Sequence, residues 1–349
     1  MDKSNQELME AASKGDVGDV ESMVIKGADV NEQGVDGSTA LHTAAKGGHT
    51  AVLHSLIGLG ASVHHRDHLG MTPLHLASIF SKLQCMKALI ELGSDLNARD
   101  KQGMTSLHWA AHNGQTEVLK LLIEYGADVN VTDYGDSTAL HHVANKIKTD
   151  AISTLIAAGC DIDALDQHGR TPLIIAASNA TKDAVACFLD AGADVTKKFV
   201  GGTALHIAAR MGRTEAVVAI ISSGFPIDVA AAAESTPLYS ASRALKFPAA
   251  MALIAYGFRN RDGCHVGGLQ ALKGVTMRQA AVQGGLNERL QVLLDQHPAI
   301  GKGDSLESLI KLAHLHNQSG AAAVLQAHIA ARAIEDVLHP PIELRARAH

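Results

Sequence analysis

A threonine two residues ahead of a leucine recurs seven times, at Thr39, Thr72, Thr105, Thr138, Thr171, Thr203 and Thr236, at intervals of 33, 33, 33, 33, 32 and 33 residues. A unit of about 33 residues is one supersecondary element, too small to close a core of its own, and it buries its apolar side only by stacking on copies of itself. A second ladder keeps the same phase: Gly27-Ala28-Asp29-Val30-Asn31, Gly60-Ala61-Ser62-Val63, Gly93-Ser94-Asp95-Leu96-Asn97 and Gly126-Ala127-Asp128-Val129-Asn130, carried onward by Gly159, Gly192, Gly224 and Gly257. Two motifs locked to one period predict a repeat array through most of the chain.

The chemistry within one period predicts what each unit is. Thr, followed by Pro at Pro73, Pro172 and Pro237, marks a helix start, because its hydroxyl caps a free N–H and Pro suits the first helical position. Ala-Ala pairs such as Ala44-Ala45, Ala110-Ala111, Ala176-Ala177 and Ala208-Ala209 let neighbouring helices approach. A glycine (Gly48, Gly114, Gly212) then breaks the chain, and a second helix carries paired aliphatics such as Val118-Leu119 and Leu121-Leu122-Ile123. The next glycine supplies a left-handed C-cap, and an Asp/Gly-bearing turn such as Asp100-Lys101-Gln102-Gly103 leads to the next Thr.

This pattern resembles the ankyrin-repeat family, with its Thr-Pro-Leu-His-x-Ala core, over roughly residues 5–259. The resemblance implies an all-α solenoid of stacked antiparallel helix pairs with β-hairpin-like loops projecting to one side. It also implies that the motif histidine bridges repeats, a role falling on His42, His75, His108, His141 and His206; Ile174 and Tyr239 stand at that place in the fifth and seventh repeats. The expected organisation is an N-terminal capping repeat at 1–33, with Glu7, Glu10, Lys14 and Asp16 on its outer side, and seven regular repeats at 34–259. A loop insertion at 260–274, degenerate repeats and a C-terminal cap at 275–338, and a tail at 339–349 after His339-Pro340-Pro341 complete it.

Other chemistry is sparse. The net charge is −6, distributed as −9 over residues 1–200 and +3 beyond, with no basic stripe of the kind nucleic-acid binding needs. Cys85, Cys160, Cys187 and Cys264 lie far apart with no CxxC pair, which fits a reducing compartment and argues against a zinc or disulfide scaffold. The first residues show no signal-peptide pattern, and the longest apolar stretch, 216–233, is interrupted by serines, Gly224, Pro226 and Asp228; a cytoplasmic protein without a membrane span is expected. His64, His65 and His68 have near-ligand spacing but no cysteine beside them, so solvent-exposed loop histidines are expected there and no metal site. No phosphate-binding loop and no nucleophile–base pair stands out; neither catalysis nor a cofactor is expected.

What remains is surface. In the family the sequence resembles, partners meet the turn tips and the exposed side of the first helices. Those positions here include His68, Met71, Ile79, Phe80, Lys101, Met104, Trp109, His112, Tyr134, Arg170 and Met211. Aromatics make up only 3% of the chain, so Phe80, Trp109 and Tyr134 in consecutive repeats point to an interface, although Trp109 can equally pack between repeats. The apolar tip at 229–233 and the 260–274 insertion are further candidates. The expectation is a non-catalytic module (adaptor, scaffold or inhibitor) binding another protein and monomeric when unbound. The alternatives are an effector with an activity in the C-terminal segment, or a self-assembling structural protein.

Overall fold

The computed structural model describes residues 3–146, 148–179 and 182–227, with scattered positions between 236 and 253. The chain divides into two compact units between Asp194 and Val195. In the first unit six helix pairs follow one another: α1 (Lys3–Lys14) and α2 (Val17–Ile25), α3 (Ala40–Gly47) and α4 (Thr50–Gly58), α5 (Pro73–Ile79) and α6 (Leu83–Glu91), α7 (Ser106–Asn113) and α8 (Thr116–Glu124), α9 (Ala139–Ala144) and α10 (Thr149–Ala157), and α11 (Pro172–Asn179) and α12 (Lys182–Asp190). The described part of the second unit holds α13 (Ala204–Met211) and α14 (Thr214–Ser222). The 260–274 insertion, the 275–338 repeats, the 339–349 tail, Tyr239 and the 229–233 tip lie outside the described residues.

Each pair packs on the next through like elements. First helices meet first helices from α1 through α3, α5, α7 and α9 to α11, while α2 meets α4, α4 meets α6, α8 meets α10 and α10 meets α12. The core is therefore a set of rows at the repeat interval. Leu41, Leu74, Leu107, Leu140 and Leu173 form one such row, and Leu56, Leu89, Leu122, Leu155 and Phe188 another, all buried. At about 1.5–3 kcal/mol for each fully buried large aliphatic, these rows outweigh the intrinsic propensity of helices only two turns long. Cys85 occupies the row of Val52 and Val118 and is a core residue.

The ends of the short helices are closed by glycine and lysine. Gly48, Gly114 and Gly212 are left-handed C-caps of α3, α7 and α13, with φ of 85°, 65° and 73°. Ser81 holds the same left-handed conformation, φ 53°, at the equivalent place after α5. Lys82 and Lys148 lay their stems over Gly48 and Gly114, bringing positive charge to helix C-termini of the preceding repeats.

Among the described residues the loops between pairs hold no strand, only the isolated bridges Thr132–Thr138 and Phe199–Gly202. Each tip is instead a turn bonded to its neighbours one repeat away. His68 N–H donates to the Asp36 carbonyl at 2.9 Å, Lys101 N–H to Leu69 at 2.9 Å, Tyr134 N–H to Gln102 at 3.1 Å and Gln167 N–H to Gly135 at 2.9 Å. The approach is close enough that a Cβ on Gly103 would lie 2.6 Å from the Tyr134 nitrogen, and Gly103 sits at φ +80°. Side chains repeat the pattern: Gln33 donates to the Arg66 carbonyl, Arg66 to that of Arg99, and Arg99 to that of Thr132. Among the described residues no helix is long and apolar enough to cross a membrane.

Candidate partner-binding face

The first helices are fixed by a histidine device. Backbone N–H of Thr39, Thr72, Thr105 and Thr138 donates to Nδ1 of His42, His75, His108 and His141, at 3.1 Å in each case. The opposite ring nitrogen, Nε2, meets the carbonyl of the next repeat: Met71 at 3.0 Å, Met104 at 3.1 Å, Ser137 at 3.1 Å and Arg170 at 3.0 Å. An N–H can only donate and a carbonyl only accept, so the rings are neutral with the proton on Nε2. Burial disfavours the imidazolium and lowers the pKa of all four, that of His108 to about 4. In the second unit His206 accepts from Thr203 N–H at 3.3 Å. At the fifth repeat buried Ile174 has no such ring, and its N–H donates to the Thr171 hydroxyl at 3.3 Å.

Below each tip sits an aspartate that shapes the turn. Oδ1 of Asp67, Asp100, Asp133 and Asp166 accepts the N–H two and four residues on, at 2.8–2.9 Å. The second oxygen is used differently from repeat to repeat. Asp100 Oδ2 accepts from the Trp109 indole at 2.9 Å, and Asp133 Oδ2 pairs with His142 Nε2 at 2.8 Å. Asp166 Oδ2 takes Nε of Arg170 at 2.8 Å and Nη2 at 2.7 Å. Burial alone would raise the Asp133 carboxyl, but His142 and the N–H groups of Ser137 and Gly135 bring it down to about 2.

Trp109 and His142 share one row along the first helices, continued by Thr43, Leu76 and Ile175, and all five are half-buried. Around them His112 stands edge-on to Trp109 at 6.0 Å and to His142 at 5.9 Å, and His108 edge-on to His142 at 5.5 Å. The pKa of His112 is lowered by burial, by Lys146 and by His142. Phe80, 45% exposed, lies under the Lys46 ammonium at 5.3 Å. Ile79 is half-buried, and its carbonyl accepts from Gln115 Nε2 at 2.8 Å. Tyr134, 66% exposed at its tip, has the Arg99 guanidinium 5.9 Å from its ring centre.

Of the residues singled out from sequence, His68, Phe80, Lys101 and Tyr134 are exposed, and Ile79, Trp109, His112 and Arg170 half-buried, all in the first unit. Met211 is exposed in the second. Met71 and Met104 are corrected: both are buried, their apolar side chains packing into the stack, whereas Ser137 and Arg170 at the same place, whose carbonyls accept the same histidine bond, are half-buried. Trp109 proves to be tied to its own turn by its indole. Sequence reasoning placed Asp100 in a turn but missed the side-chain donors to the turn aspartates and missed His142, whose signal is a donor nine residues after an Asp, repeated at 33. It also missed Val35, Leu69 and Leu165, exposed apolar side chains at three tips. His64 and His68 are exposed and His65 half-buried; among the described residues no group of three or more His, Cys, Asp or Glu side chains could hold a metal ion.

A family model described as "Ankyrin repeats (3 copies)" matches residues 8–100, 50–133 and 134–199, and one described as "Ankyrin repeat" matches residues 200–232. Among solved structures, the crystal structure of the human ASB11 ankyrin repeat domain is similar, with a TM-score of 0.56 and 26% identity, over 63% of this chain and 98% of that one. No curated protein matches the chain.

Proposed function

Because the chain belongs to the ankyrin-repeat family, we infer that it is a non-catalytic interaction module, an adaptor, scaffold or inhibitor, that binds a partner protein through its turn tips and the exposed side of its first helices. One observation carries this reading. The rows that face neighbouring repeats keep their chemistry, leucine on leucine, whereas the half-exposed row runs Thr43, Leu76, Trp109, His142, Ile175. Stacking fixes the first kind of row and leaves the second free to carry a specific surface. Around that row Phe80, His112 and Tyr134 offer flat rings, and His68, Lys101 and Arg170 polar rims, the composition of a protein interface with a central anchor. The unbound chain is a monomer in this reading. The alternative seats of function, an activity or self-association in 260–349, fall outside the described residues.

The test compares the wild-type chain with Phe80→Ala/His112→Ala/Tyr134→Ala as bait in lysate of the source organism. Trp109 is left in place because its indole is the donor to the buried Asp100 carboxylate. Circular dichroism must first give the two chains equal helicity, and light scattering reads oligomeric state. A protein captured by the wild type and lost with the folded variant supports the reading. Capture indifferent to the variant would place the interface elsewhere, and concentration-dependent oligomers with no capture would replace a partner by self-assembly.

A further inference from the structure

Four turns of the first unit share one geometry, and in three of them the outer carboxylate oxygen is met by a planar N–H donor: the Trp109 indole, the His142 imidazole and the Arg170 guanidinium. The exception is Asp67. Its Oδ1 accepts Leu69 and Met71 N–H, both at 2.8 Å, as in the sister turns. Among the described residues no donor reaches its Oδ2. The row position that supplies Trp109 and His142 holds Leu76, and the position that supplies Arg170 holds Met71, whose side chain is buried. The nearest cation in sequence, Arg66, directs its guanidinium to the carbonyls of Gly70 and Arg99. Leu76 is half-buried and Leu69 is 61% exposed at the tip. A fixed carboxylate oxygen, without a cation of its own among the described residues and with the exposed Leu69 and half-buried Leu76 in the same repeat, matches a side chain that joins a planar cationic head to an apolar stem.

We propose that Asp67 Oδ2 receives an arginine guanidinium from the partner protein, with the arginine stem and an apolar neighbour lying over Leu76 and Leu69. The chain's own Arg170–Asp166 pair is the internal precedent, two guanidinium nitrogens on one Oδ2 at 2.8 and 2.7 Å. Arginine suits the place better than lysine, because a guanidinium is planar, less strongly hydrated and presents its donors in a fixed fork. The proposal deepens the interaction reading and rests on it.

The probe is a random-peptide phage library selected on the full-length chain, with each selected peptide then measured by fluorescence anisotropy. Asp67→Asn is the informative variant: its amide oxygen still accepts Leu69 and Met71 N–H, while the outer atom changes from acceptor to donor. A second variant, Leu76→Trp, fills the outer oxygen from within, copying the Trp109–Asp100 pair. Selected peptides are expected to carry arginine beside an apolar residue. Asp67→Asn and Leu76→Trp should each weaken them roughly 10- to 100-fold, the range of a charged hydrogen bond. Replacing the peptide arginine by citrulline should weaken binding by a similar factor and make it indifferent to Asp67→Asn. Peptides that bind equally to folded wild type and Asp67→Asn would overturn the proposal and leave the interaction reading standing. A folded chain that selects no peptide over an unrelated helical control would count against both.

Discussion

The histidine device makes the stack acid-sensitive, and the structure sets the direction and the window. Burial disfavours the imidazolium of His42, His75, His108 and His141 and holds each folded-state pKa below the ordinary 6.5, and protonation at Nδ1 would also set a donor against a backbone N–H. Between 6.5 and those lowered values the unfolded chain binds more protons than the folded one. The stabilisation is thus fully present above pH 6.5 and is lost as the pH falls through the lowered folded-state values, about 4 for His108. For His108, a fall from 6.5 to about 4 corresponds to roughly 3 kcal/mol. Asp36, Asp133 and Asp166, whose pKa values are also lowered, contribute stability that is present above the ordinary carboxylate range and lost only as the pH falls below it. The interval from pH 7 to 5 therefore isolates the histidines. The measurement is the urea midpoint by far-ultraviolet circular dichroism across that interval, for wild type and for His108→Gln. Glutamine can still accept Thr105 N–H at the helix start but does not titrate, so the variant should show a shallower slope than wild type. A midpoint that is flat between pH 7 and 5, or a slope unchanged in His108→Gln, would refute the tautomer assignment.

Ser81→Gly and Asp136→Gly should each stabilise the folded chain by roughly 0.5–1 kcal/mol, because both residues hold positive φ where sister repeats have glycine; thermal melts check this. Gly103→Ala should destabilise by about 2 kcal/mol or more in the same assay, since the new Cβ meets the Tyr134 backbone nitrogen in a left-handed conformation. Trp109→Phe keeps a ring but leaves Asp100 Oδ2 without its donor, and should cost about 1.5–3 kcal/mol by urea denaturation. Cys85 and Cys160 are buried and their thiol pKa values raised, that of Cys160 to about 12, so neither should react with a thiol reagent at pH 8 until the chain unfolds; mass mapping of labelled peptides reads it.

The helix pairs, their glycine caps and the buried leucine rows were legible because stacking demands the same chemistry at every interval, and a demand repeated seven times is visible in one sequence. The face was less legible. Met71 and Met104 share a row with Ser38, Ser137 and Arg170, a mixture that does not read as core. The backbone at this place is fixed by a histidine of the preceding repeat bonding a main-chain carbonyl, which leaves no mark on side-chain type, and the side chain is then buried at the apolar Met71 and Met104 and half-buried at the polar Ser137 and Arg170. Trp109 was open to two readings, anchor or packing. The structure gives a third, in which the indole N–H completes a turn and only part of the ring faces solvent.

Repetition also makes the chain its own mutational series. At the aspartate row the backbone geometry is constant while the donor to Oδ2 changes from none at Asp67, to indole, to imidazole, to guanidinium. The half-buried Asp67 keeps the Oδ1 bonds of the others without a donor to Oδ2 among the described residues, whereas Asp100 and Asp166 are buried and each has one. The indole, imidazole and guanidinium each occupy the outer carboxylate oxygen of their turn. Three repeats close that acceptor and one leaves it open, next to leucines at Leu69 and Leu76. Polarity along the row is then set less by how many charges it carries than by which of them the chain has already satisfied. Among these four turns three outer oxygens already have a donor from the chain, and the outer oxygen of Asp67 is the one to which, in our proposal, a partner's guanidinium is added.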